Sequence, residues 1–95
     1  MEEIELRWTQ RVIDKIVQKH GVMPEEVEEV VYEGKPIFRR GPGSEKNKRY
    51  YVLGQSASGR YLLIVLKKVR GTAFSTLTAR DMKDDERRLY KRHKG

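Results

Sequence analysis

Ninety-five residues, 37% apolar and 37% charged, fit one domain with a thin core and a heavily charged surface. The absence of cysteine excludes disulfides and cysteine-based metal sites. No run approaches the roughly 18 apolar residues of a membrane span, and the acidic start MEEIELRW lacks the features of a secretory signal, so a cytoplasmic protein is expected.

The net charge of +7 is unevenly spread. Residues 1–34 hold nine acids and four bases, whereas residues 35–95 hold five acids and 17 bases. The basic part should attract polyanions, phosphate backbones first among them; solubility is the plainer explanation of the same charge. One Asn and three Gln stand against 35 charged residues, a bias compatible with a heat-adapted source.

Ile4, Leu6 and Trp8 alternate with polar residues, which reads either as a short strand or as an early extension of the helix that follows. Val12, Ile13, Ile16, Val17 and His20 have helical spacing, with Thr9 as N-cap and Gly21 as the terminating residue. Pro24 opens a second, acidic helix carrying Val27, Val30 and Val31, and Gly34 ends it. Residues 35–40 read as a strand, followed by the turn-rich loop GPGSEKNK. Residues 49–55, 60–69 and 72–79 form an antiparallel meander with short connections. The spacing predicts a closing helix from Met82 to His93, capped by Asp81 with Asp84 at its third position.

GQSASG is not a nucleophile elbow, because its second glycine comes one residue late and it lies in a hairpin. FRRGPG, residues 38–43, has too few glycines to cradle a phosphate. Two histidines 73 positions apart, with no acidic cluster at ligand spacing, argue against a metal site, and no cofactor is expected. His20 is either a partner for the helix dipole or a general acid–base. Arg60 and Arg80 flank strands, as solvated edge residues or as phosphate-gripping forks. Arg88 has a partner at helical spacing in Asp84, whereas Arg80 has no local one, which leaves it free for a ligand. Tyr50, Tyr51, Tyr61 and Tyr90 are either filler or stacking platforms for bases.

The stretches KHGVMPEEVEEVVYEG, RYYVLGQSASGRYLLIVL and TLTARDMKDDERRLYKRH, taken in this order, resemble the BrnT family of small toxins within the RelE-like ribonuclease group. The resemblance covers almost the whole chain as one domain, residues 1–95. It implies a compact α+β fold: an antiparallel sheet, made of a three-stranded meander plus one or two short strands, with two N-terminal helices and one C-terminal helix. It further implies a metal-independent endoribonuclease that cleaves RNA by 2′-OH attack and blocks translation. The expected partner is a BrnA-like ribbon-helix-helix antitoxin, with a higher-order toxin–antitoxin complex left open. By position, the catalytic candidates are His20, Arg60, Arg80 and Glu86. Lys19, Arg49, Lys67, Arg87 and Tyr90 are the candidates for contacting RNA. Where the family pattern has aspartate, lysine and asparagine, this chain has Thr9, Val12 and Ile16. These departures keep a second reading open, a non-catalytic relative that binds RNA or antitoxin.

Overall fold

The computed structural model describes residues 4–44 and 46–94. Five strands, β1 (Glu5–Arg7), β2 (Ile37–Arg40), β3 (Arg49–Gln55), β4 (Tyr61–Arg70) and β5 (Ala73–Asp81), form one sheet in the order β1-β5-β4-β3-β2. Strands β2 to β5 are an antiparallel meander. β1 joins β5 in parallel, so the sheet is mixed rather than wholly antiparallel. Residues 5–7 are therefore strand and not an extension of the first helix; Glu3 lies outside the described residues.

Alternation along the strands gives the sheet two unlike faces. On the first, Val52, Leu62, Ile64, Leu66, Phe74 and Ala79 meet Ile16, Val22, Val27 and Val30. These last four lie in or beside α1 (Gln10–His20) and α2 (Pro24–Glu28), which runs on as a single π-helical turn at Glu29–Glu33. Ile16, Val30, Leu62, Ile64 and Leu66 are fully buried, each favouring the fold by roughly 1.5–3 kcal/mol over exposure. The helical layer comes close at Gly54, where a Cβ would meet Val30 Cγ1 at 2.5 Å. The second face carries a smaller cluster, Leu53, Leu63, Met82 and Tyr90, beneath α3 (Asp84–Lys94).

Both ends of α1 are closed as its residues dictate. Thr9 Oγ1 accepts from the Val12 N–H at 3.2 Å. Gly21 takes the left-handed conformation (φ 62°), letting its N–H reach Val17 O at 3.1 Å. Where β5 bulges at Leu77, the extra carbonyl accepts from Lys15 Nζ at 2.7 Å. The closing helix departs from expectation: β5 runs through Asp81, and the helix starts at Asp84. Glu86, not Asp81, supplies the cap, accepting from the Lys83 N–H at 2.8 Å. Asp81 is taken up elsewhere.

Candidate active site and nucleic-acid interface

Arg60 enters the sheet from the β3–β4 turn, and its guanidinium uses all five N–H groups. Nε and Nη2 donate to the two oxygens of Asp81 at 2.7 and 3.0 Å. Nη1 donates to Gly21 O at 2.7 Å and to Glu26 Oε1 at 3.2 Å, and Nη2 also to His20 O at 3.1 Å. One side chain thus joins the last carbonyls of α1, the first turn of α2 and the end of β5. Glu26 meanwhile accepts from the Met23 N–H at 2.9 Å, capping α2. Hydrogen bonding by Arg60, with help from its charge and from those of Arg87 and His20, holds the Asp81 carboxyl below the usual carboxylate range.

Arg80 and Asp81 are neighbours in β5, so their side chains leave opposite faces of the sheet. Arg80 pairs across the strand with Leu63, on the side covered by α3. It meets Glu86 fork to fork, Nη1 to Oε1 and Nη2 to Oε2, both at 2.9 Å, and Nη1 also donates to Asp81 O at 3.0 Å. Arg80 is therefore not free, as its lack of a local partner had implied. The bond to Arg80 holds the Glu86 carboxyl below its ordinary value and raises Arg80 further above neutrality.

Beyond α3 the same face lies open and basic. Cross-strand register sets Arg49 opposite Lys67 and Arg39 opposite Tyr51, in line with Val65 and Thr78. Like charges placed directly opposite are unfavourable in a sheet, so the Arg49–Lys67 pair opposes folding unless an anion sits over it. His93 closes the far side. Its Nε2 lies 2.8 Å from Arg39 Nη2 and its Nδ1 3.1 Å from Leu89 O. Because arginine has no acceptor, Nε2 accepts and Nδ1 carries the proton. Glu86 and His93 are seven residues apart, two turns along α3 and about 10 Å.

The sequence-predicted residues fall into separate groups. Arg80, Glu86, Arg49 and Lys67 share the α3 face. His20 and Arg60 lie at the end of the sheet on the α1 side, joined through the His20 carbonyl rather than its imidazole. Arg87, on α3, lies over the Tyr61 ring at 5.2 Å. Lys19 is exposed at the end of α1. Tyr90 is 6% exposed and packs edge-on against Tyr61 at 6.0 Å, so it is core and not a stacking platform. Sequence reasoning missed Arg39 and His93 as members of the face. The two-residue period of RYY, which sets Tyr51 on the same side as Arg49, was the signal available for that tyrosine. Among the described residues, no three His, Cys, Asp or Glu side chains gather to hold a metal ion.

No protein-family model matches the chain, and no curated protein matches its sequence. A solved structure does: the crystal structure of the Brucella abortus ribonuclease toxin BrnT, with a TM-score of 0.60 and 17% sequence identity, covering 85% of this chain and 99% of that one. The five-stranded sheet with its three helices is thus the fold of the BrnT ribonuclease toxin.

Proposed function

We propose that the protein is the toxin of a toxin–antitoxin pair, a metal-independent endoribonuclease acting in the cytoplasm, with a BrnA-like ribbon-helix-helix protein as antitoxin. The observation that carries this reading is the Arg80–Glu86 pair at the edge of an open basic sheet face, in a fold shared with a ribonuclease toxin. Arg49, Lys67 and Arg39 would hold the backbone of an RNA strand laid across the sheet, beside the Tyr51 ring. A phosphate reaching Arg80 competes with Glu86 for the same planar fork. Once displaced, Glu86 loses the partner that lowers its proton affinity and faces an anion instead, so it becomes the stronger base. It can then take the proton of the ribose 2′-OH as that oxygen attacks the adjacent phosphorus. Arg80 stabilises the extra negative charge of the pentavalent state, and the 5′ oxygen departs with a proton taken from solvent water to leave a 5′-OH and a 2′,3′-cyclic phosphate. His20 and Arg60 stand apart from this site; Arg60 holds the scaffold together.

The test is cleavage of single-stranded RNA by purified protein in EDTA, with product ends identified. Arg80→Ala should lower the rate on the order of 10²–10³-fold, and Glu86→Gln comparably, while His20→Ala stays near wild type. Loss of activity in His20→Ala with Arg80→Ala still active would move the chemistry to the rim of His20, Asp81 and Arg87. RNA bound tightly and left intact would mark the non-catalytic relative.

A further inference from the structure

The two edges of the sheet are finished differently. At β1 the Glu5 N–H bonds Thr72 O, so the next amide, that of Leu6, points away from the sheet; Tyr32 Oη accepts it at 3.0 Å. At β2 the Gly41 N–H bonds Arg49 O at 2.8 Å, and bonded pairs alternate with unbonded ones along an antiparallel ladder. The register therefore makes Arg39–Tyr51 and Ile37–Leu53 bonded pairs and turns the N–H and C=O groups of Phe38 and Arg40 outward. Among the described residues nothing bonds these outward groups. Phe38, Arg39 and Arg40 are all exposed, Phe38 by 39%. Arg40 turns back over the Tyr50 ring and donates to Ser44 O. Arg39 spends one N–H on His93 and has others to give.

We infer that β2 is a docking edge for an extended acidic segment of a partner protein, which joins the sheet as a further strand. The outward donors and acceptors of Phe38 and Arg40 supply the backbone pairing, and the side chains select the occupant. A second copy of this chain is the rival, and charge opposes it. Two β2 strands paired antiparallel about Arg39 would set Arg39 against Arg39, in an unbonded pair where side chains come closest. A carboxylate at that position is attracted where a second arginine is repelled. Its neighbour along the incoming strand falls on the other face, beside Phe38, so an apolar residue there covers the exposed ring. The segment that fits thus alternates acidic and apolar residues. Arg39 also belongs to the basic face, so a docked acid takes a cation from RNA and opposes its binding. That consequence rests on the ribonuclease reading; the docking edge does not.

The probe is a short synthetic peptide in which Glu and Val alternate, added to wild type and followed by NMR hydrogen exchange. Exchange of the Phe38 and Arg40 amides should slow about tenfold or more at saturation, while the Arg39 amide, already bonded to β3, keeps its rate. The same peptide N-methylated at alternate residues retains its charge but cannot donate, and should bind at least about tenfold more weakly. A peptide alternating Lys and Val should not bind wild type but should bind Arg39→Glu. If the N-methylated peptide binds as well as its parent, or the Phe38 and Arg40 amides exchange unchanged, acids merely gather on a basic surface and the docking edge is refuted. If wild type sediments as a dimer with those amides already protected, the occupant is a second copy and the inference fails too. Saturating peptide should also weaken binding of a 2′-O-methyl RNA, which cannot be cleaved, by about tenfold. Unchanged RNA affinity would overturn the competition and leave the docking. Peptide docking on a protein that binds no RNA would support the edge and remove the ribonuclease reading.

Discussion

Arg60 gives the sharpest separation between a scaffold residue and a ligand-gripping one. In Arg60→Ala six hydrogen bonds disappear, four of them to carboxylate oxygens and two to the carbonyls of His20 and Gly21 at the end of α1. Charged hydrogen bonds each contribute about 1.5–3 kcal/mol when shielded. Here the Arg60 side chain is 27% exposed and that of Asp81 59%, so the Asp81 contacts are reduced to the range of surface pairs, under about 1 kcal/mol. The contacts to Glu26, 20% exposed, and to the two carbonyls keep more of their value. The net loss should be about 2–3 kcal/mol. For a domain of this size that lowers the thermal midpoint by roughly 10–20 °C, read from far-UV circular dichroism with urea denaturation alongside. Arg60→Lys keeps the charge without the planar fork and should recover less than half of the loss. A coupling between Arg60→Ala and Glu26→Gln of about 1 kcal/mol in a double-mutant cycle would show that the pair acts as one unit. If Arg60→Ala melts within about 2 °C of wild type but no longer cleaves RNA, the lock has been misread and the guanidinium serves the phosphate instead.

Acid should weaken the fold through two carboxylates. Asp81 and Glu86 are both lowered in the folded state, so their contribution is complete above their unfolded values near 4 and is lost as pH falls through the folded ones. The urea midpoint should decline below about pH 4, and the decline should be shallower in Glu86→Gln; equal declines in both proteins would contradict the pairing. Gly54→Ala should cost about 1–3 kcal/mol, because its methyl would press on the fully buried Val30; a wild-type melting curve would mean the helical layer shifts freely there. Ile16→Asn, the residue that the resembled pattern has at this position, should destabilise by roughly 3–4 kcal/mol in equilibrium denaturation, since Ile16 is fully buried among apolar side chains. A neutral result would require a polar partner for the amide beneath α1.

What the sequence made legible is what short-range chemistry decides. Thr9 and Gly21 bracket α1 because a hydroxyl and an unhindered left-handed residue act within four positions of themselves. RYYVLGQ and the apolar run after Arg60 announce their strands by continuous apolar, aromatic and β-branched content between turn residues. The joint at Arg80 and Asp81 was misread for the opposite reason. Asp81 resembles a helix cap from its neighbours, but its partner is Arg60, 21 positions back, and a bidentate ion pair keeps it in the strand. The cap then passes to Glu86, which also holds Arg80, so the partner sought for Arg80 lay six residues ahead. The parallel pairing of β1 with β5 joins Leu6 to Phe74 and leaves no local trace either.

The three departures from the BrnT pattern weigh on folding more than on chemistry. Thr9 caps α1 through a side-chain oxygen, a task that aspartate performs equally well, so this exchange keeps the structural role. Val12 packs against the main core and Ile16 lies in it, where lysine and asparagine in another chain would need polar partners. All three belong to the layer of α1, on one side of the sheet. Arg80, Glu86, Arg49 and Lys67 lie on the other, set there by strand register and by the first turn of α3. A change beneath α1 therefore removes no group from the Arg80–Glu86 face. It reaches that face only through the sheet, by way of the Arg60 contacts that tie α1 to the end of β5. Those contacts are intact, so the departures remove no group from the site proposed at Arg80 and Glu86.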